Sequence, residues 1–344
     1  VGIGYAVQNP ATPYWMFLAL ALLCGFGGGN FASSMSNISF FFPKAEKGNA
    51  LGLNAGLGNL GVSVVQFVVP MIVTVGVFGW LGGNPQIVEG AAGQGKLWLQ
   101  NAGFIWVPFI AASAFAAWFG MNDIASAKAS FAEQSVIFQR QHNWIMCWLY
   151  TGTFGSFIGY SAAFPLLTNT EFPHINALQY AFLGPLVGAL SRSLTGWVAD
   201  RWGGARVTFW VFVVMAIGAL GVLHFLNERN FTGFFAMFLL LFFASGVGNA
   251  STFQMIPAIM RKDMDRLMPE VTLEARRMQA EKESAAIIGF TSAIAAYGAF
   301  FIPKSFGSSI AITGDAAFAL YGFIVFYLSC IAITWFFYTR KGGL

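Results

Sequence analysis

Arg192 is the residue from which a chemistry can be argued. It lies deep in an apolar run, 177–199, whereas all fourteen aspartates and glutamates fall in polar loops or at the ends of apolar runs. A central arginine in a bilayer costs roughly 2.5–3.5 kcal/mol and usually marks a pathway. A guanidinium with no carboxylate at its own depth calls for an anion. The alternatives are a side chain that snorkels to the membrane edge, or a pair with Asp200 two turns on. Asp200, however, stands beside Arg201. Gly184, Gly188, Arg192 and Gly196 recur every four residues, so they share one helical face. Small residues line helix–helix contacts rather than lipid, which turns Arg192 toward protein or a cavity.

Other residues supply matching chemistry. Gly52, Gly56, Asn59, Ser63 and Gln66 share a face, and Asn59 brings amide donors near mid-span. Close packing with a few interhelical hydrogen bonds would also explain that face. Tyr150, Phe154 and Phe157 form an aromatic stripe that suits packing, or a planar anion held between rings with a phenol at its edge. Phe31 follows Asn30 and a run of glycines and is ambiguous by itself.

The elements that must position these residues are membrane helices. The chain has 344 residues, 57% hydrophobic and only 9% charged, with a mean hydropathy of +0.65. A soluble domain carries about 25% charge, so most of this surface does not face water. Nine stretches reach the length of a bilayer-crossing helix, about 20 residues: Tyr14–Phe42, Ala50–Leu81, Phe104–Gly120, Trp144–Leu167, Ala177–Ala199, Val207–Phe225, Phe231–Met260, Ala285–Ile302 and Ala316–Tyr338. Val1–Gln8 reads as the tail of a further span. Fourteen of the eighteen basic residues fall in the loops and tail on one side, among them Lys44, Arg140 and Arg206; Lys96, Arg229 and Lys304 fall on the other. That bias places the carboxyl terminus in the cytoplasm. The inward loops 121–143 and 261–283 are the longest; the first is a natural linker between bundles, the second a solvated helix-forming loop.

Enzymatic chemistry finds no support. The sequence shows no paired-carboxylate site, metal cluster or nucleophile–base pair, and Cys24, Cys147 and Cys330 lie far apart in apolar stretches, as buried free thiols do. No catalytic residue, metal, cofactor or nucleic-acid partner is expected, and the expected state is a monomer in the bilayer.

The segment Asn30-Phe-Ala-Ser-Ser-Met-Ser-Asn-Ile-Ser-Phe-Phe-Phe-Pro43, followed by Gly52-Leu-Asn-Ala-Gly-Leu-Gly-Asn-Leu-Gly61, resembles the first nitrate signature of the nitrate/nitrite porter family, a branch of the major facilitator superfamily. The likeness is closest to bacterial NarK-type members. Gly289-Phe-Thr-Ser-Ala-Ile-Ala-Ala-Tyr-Gly298, with Phe300-Phe-Ile-Pro-Lys304, is similar to the second signature. Gly196-Trp-Val-Ala-Asp200-Arg201-Trp-Gly-Gly-Ala-Arg206 resembles the superfamily's cytoplasmic loop motif.

The resemblance implies an all-α polytopic fold of twelve spans in two six-helix bundles, with spans four to twelve present. Residues 1–120 would belong to the first bundle, 121–143 to the linker and 144–344 to the second bundle. About a hundred residues would precede them, estimated from span length. It further implies an inner-membrane carrier of nitrate and nitrite. Arg192 would be the substrate-binding arginine of span eight, Asn59 the signature asparagine, Tyr150 a donor, and Phe31 and Phe154 the rings that sandwich the anion. A partner arginine would lie in the absent span two. Ala295 and Ala299 stand where close relatives carry glycine, and Ala295 would adjoin the anion. Gly52, Gly56, Gly58, Gly61, Gly289 and Gly298 would serve helix packing and gating. With no acid or histidine at mid-span to carry a proton, nitrate/nitrite antiport is favoured over proton symport, a carrier of another small anion, or a nitrate sensor.

Overall fold

In the computed structural model the described residues are 1–42, 44–90, 93–122 and 130–340. Pro43, residues 123–129 of the 121–143 linker (Lys128 among them) and Lys341 therefore lie outside them. The described chain is helical almost throughout: α1 Gly2–Ala6, α2 Tyr14–Phe41, α3 Lys44–Ile72, α4 Asn101–Phe104, α5 Val107–Gly120, α6 Phe131–Ser135, α7 Gln141–Tyr150 and α8 Ser156–Glu171. Then follow α9 Leu183–Leu194, α10 Gly196–Trp202, α11 Gly204–Asn227, α12 Phe231–Leu267, α13 Leu273–Ala296, α14 Gly298–Thr313 and α15 Ala317–Thr334.

Seven helical stretches among the described residues are long and apolar enough to cross a membrane. Two others that the sequence places as spans are helical but interrupted. Between α7 and α8 the chain makes a π-helical turn over Thr151–Gly155, and α9 stops at Thr195, three residues after Arg192. Single π turns are rare and gather at functional sites. The sequence also assigned 73–81 to a span and 86–97 to a loop. Instead α3 ends at Ile72, and Gln86–Gly90 pairs with Gly93–Leu97 as an antiparallel hairpin, Gln86 opposite Leu97. The inward loop 261–283 is mostly helix, since α12 runs to Leu267 and α13 starts at Leu273.

The chain divides into two compact units, residues 1–30 with 64–128, and residues 31–63 with 129–344. In the first, Asn101 satisfies the frayed end of α3, its side-chain amide donating to the carbonyls of Ile72 (3.1 Å) and Val75 (2.7 Å). Gln100 donates in the same way to Gly82 and Asn84. The Ile72 carbonyl closes α3, and those of Val75, Gly82 and Asn84 belong to the turns beyond it.

The second unit holds the core. Its helices meet at glycines that admit no side chain. A Cβ on Gly298 would strike the backbone of Gly155, and one on Gly159 would come within 2.6 Å of the Gly298 carbonyl. These residues bring α8 and the π turn against the α13–α14 junction. At one end of the unit Arg140 donates from Nε and Nη2 to the buried Glu283 carboxylate at 2.7 and 2.8 Å, and Gln279 donates to it as well. Such bidentate geometry compensates the desolvation of a buried acid. Half-buried His142 bonds the Tyr338 hydroxyl at 2.9 Å; burial holds its pKa below the ordinary 6.5, with Asp263 opposing and Arg266 assisting.

Gly298→Ala should destabilise the protein by about 1–3 kcal/mol, because backbone cannot yield to the new methyl. Gly58→Ala, where the added carbon meets nothing within 4 Å, should be neutral or gain up to about 1 kcal/mol from helix propensity. Thermal unfolding of the two variants in detergent checks this ordering, and equal stabilities would contradict it.

Candidate functional site

Arg192 ends α9 with only 3% of its surface exposed, so it does not snorkel. It takes part in no ion pair among the described residues, and Asp200 is exposed. Its Nη1 is buried without a hydrogen-bond partner. What surrounds the guanidinium is aromatic: its central carbon is 5.9 Å from the ring centroid of Phe31, 6.0 Å from Phe154 and 5.2 Å from Phe253. Ring faces attract a cation, but they leave its N–H donors unspent.

Those rings form a stack. Phe31 and Phe154 lie nearly parallel, 6.1 Å apart at 13°; Phe154 stacks on Tyr150 at 5.2 Å and Tyr150 on Phe253 at 4.4 Å. The π turn places Phe154 here. It is made possible by Gly152, which packs on Phe212 and Cys330, and by Gly155, where a Cβ would lie 3.0 Å from the Ala295 carbonyl. The Tyr150 hydroxyl is fully buried beside Arg192, near enough to interact with the guanidinium, and has no hydrogen bond of good geometry.

Helix α3 presents Asn59 from another side. Gly56 packs against Ser193, the neighbour of Arg192, and the Ser63 hydroxyl donates to the Phe182 carbonyl at 2.8 Å. Asn59 sits between those two contacts on the same face of α3, buried, its side-chain nitrogen unpartnered. The arrangement thus brings together Arg192, Tyr150, Phe31 and Phe154, with Asn59 on the face of α3 that meets α9. Gln66 belongs to the other compact unit, and Gly52, Gly58 and Gly61 have open space where a Cβ would go. Ala295 is buried behind the π turn, Ala299 is exposed and Gly289 half-buried. On α9, Gly184 and Gly188 pack against Phe242 and Phe157; Gly196 is open, and its carbonyl accepts from Gln254. Asp200, Arg201 and Arg206 are exposed, away from this stack.

Sequence reasoning missed two residues of α12. Phe253 covers both Tyr150 and Arg192. Asn249, one turn earlier, is 0% exposed, and neither end of its amide has a partner. Gly246 of the same helix packs on Ser191 and Gly188, while the Thr252 hydroxyl approaches that of Thr153 in the π turn. Asn249 lies midway between them and so faces the space between α9 and the π turn. An asparagine and an aromatic at i, i+4, in a span with no charged residue before Arg261, were the available signal. Four buried donor-bearing side chains (Arg192, Tyr150, Asn59, Asn249) thus have at least one polar atom each without a hydrogen bond of good geometry, and buried polar atoms rarely stay unmet. Together they can bind a small, flat anion. The two buried acids among the described residues, Glu171 and Glu283, are paired with Arg229 and Arg140.

Comparison with known proteins gives one consistent answer. The model of the Major Facilitator Superfamily matches residues 1–269. The chain is 49% identical to "Nitrate/nitrite transporter NarU" of Escherichia coli, over 99% of this chain and 74% of that one. It is 42% identical to "Probable nitrate/nitrite antiporter NarK2" of Thermus thermophilus, over 100% and 75%. Among solved structures it is similar in fold to the Major Facilitator Superfamily transporter FucP in the outward conformation, with a TM-score of 0.54 at 14% identity, over 89% of this chain and 72% of that one.

Replacing Asn249 by Leu removes an unmet buried amide. The variant should melt higher in anion-free buffer, by about 1–3 kcal/mol of stability, and should lose part of the stabilisation that a bound anion adds. Melting curves with and without added anion check both halves; a less stable variant with full anion response would contradict the placement.

Proposed function

The chain belongs to the Major Facilitator Superfamily and, within it, to the nitrate/nitrite porters; on that premise we propose that it exchanges nitrate for nitrite across the bacterial inner membrane by alternating access. The observation that carries this reading is the buried Arg192, whose Nη1 has no partner and whose faces are covered by rings. A guanidinium presents a planar fork of donors that matches the edge of a trigonal oxyanion. Tyr150, Asn59 and Asn249 are placed to donate to the remaining oxygens. Phe31 and Phe154 cover the two faces of the ion. Their ring centroids are 6.1 Å apart, and two van der Waals layers need about 7 Å, so the pair has to part by at least about 1 Å to admit the anion.

A donor-rich site with no free carboxylate favours a monovalent anion and repels a cation. The names of the relatives, which specify nitrate and nitrite, support this cargo. Exchange follows from the charge. An empty site leaves the guanidinium uncompensated, so the rocking step between inward and outward states is cheap only when an anion is bound. No buried acid among the described residues is free to carry a proton instead. We further propose that residues 1–120 and 144–344 belong to the two bundles that rock, with the glycine-rich segments Gly52–Gly61 and Gly289–Gly298 as the sliding surfaces. The carboxyl terminus faces the cytoplasm, and the functional unit is a monomer.

Labelled-nitrate uptake into proteoliposomes should require nitrite inside. Uptake into nitrite-free vesicles that follows an inward proton gradient would replace antiport by symport. Arg192→Lys should reduce exchange by at least about a hundredfold while insertion is kept, since a point charge cannot substitute for the fork. Undiminished exchange in that variant would remove Arg192 from the site.

A further inference from the structure

The loop-motif arginines, which the anion site does not use, open onto a groove of their own. A cavity of about 630 Å³ runs between α10, α11 and α12 on the outer surface of the second unit. Arg201, Arg206, Leu240 and Phe243 are among the residues that line it. Trp202 and Trp210 flank it, 62% and 64% exposed. Along α11 the lining runs from Arg206 to Val214, nine residues, or about 12 Å at helical rise. Among the described residues neither arginine is held by an ion pair or a side-chain hydrogen bond. Asp200 is the one acid in this motif, so the motif keeps a net positive charge.

We propose that this groove is a binding site for an anionic phospholipid, with the phosphodiester on Arg201 and Arg206 and one acyl chain along α11. The chemistry fits in three respects. Guanidinium forks match phosphate oxygens, and basic recesses between membrane helices recognise acidic headgroups. Exposed tryptophans settle at the headgroup level, which puts Trp202 and Trp210 where charge gives way to hydrocarbon. The rest of the lining is valine, leucine, phenylalanine and alanine, and its length of about 12 Å along α11 matches an extended segment of acyl chain. The proposal rests on the membrane embedding of the chain and is independent of its cargo. It gives the loop motif a ligand: α10 continues directly from the helix bearing Arg192, so a lipid on Arg201 binds at the end of the same broken span.

The test is quenching of tryptophan fluorescence in detergent micelles by lipids brominated on the acyl chain. Brominated phosphatidylglycerol should quench at roughly a tenfold lower concentration than brominated phosphatidylcholine, the preference expected of two surface arginines. The double variant Arg201→Gln, Arg206→Gln should lose that preference, each single variant should lose part of it, and Trp210→Phe should lower the quenched amplitude. Equal potency of the two lipids on the unaltered chain would overturn the proposal without recourse to any variant. A preference that survives the double substitution, or an amplitude indifferent to Trp210, would overturn it too. Anion exchange is not needed for the readout, so failure here leaves the cargo untouched.

Discussion

A guanidinium buried without a counter-ion constrains this structure. Arg192 is nearly inaccessible, faces three aromatic rings and keeps a donor unspent. Cation–π contacts return about 2 kcal/mol or somewhat more when desolvated, which softens the cost of the buried charge without removing it. The site is therefore built for a state in which something negative is present. Its neighbours follow the same logic: a phenol, two amides and, among the described residues, no unpaired buried carboxylate.

Holding that charge in place requires helices that are not regular. The π turn carries Phe154 toward Arg192, and the break at Thr195 comes directly after the arginine. Both irregularities are supported by close backbone approaches. Gly155 and Gly159 press on the α13–α14 junction, and Gly246 of α12 packs on Ser191 and the Gly188 carbonyl. A helix that slides does so along surfaces without side chains, and these contacts lie beside the ring stack. Packing and site are thus one arrangement, in which a change at a glycine is felt at the ring stack.

Much of this was legible in the sequence. Arg192 stood out because a single charge in an apolar run has no ordinary explanation, and the four-residue spacing of glycines gave its direction. Asn59 was marked by the spacing of small and polar residues on its face, which close packing also explains, whereas Asn249 lies in the span 231–260 among several other small polar residues that do not single it out. Phe253 is one of 38 phenylalanines, and nothing local marks the one that covers an arginine. The π turn was hidden for a different reason: its hydrogen-bond register is set by what Gly152 and Gly155 pack against, far away in the chain. The hairpin at 86–97 was hidden too, because in a polar loop neither strand shows an apolar face. Membership of the family was legible because the two glycine-rich signatures are long and specific, and the relatives agree with it along nearly the whole chain.

The central claim is that the bound anion supplies the counter-charge Arg192 lacks. It is tested most directly by measuring nitrate affinity and anion-free stability together, on the chain and on Arg192→Gln. The account predicts that the variant loses nitrate binding while melting higher in anion-free buffer, because an uncompensated buried charge has been removed. A variant that is less stable without anion and still binds nitrate would contradict it, and would make Arg192 a structural residue.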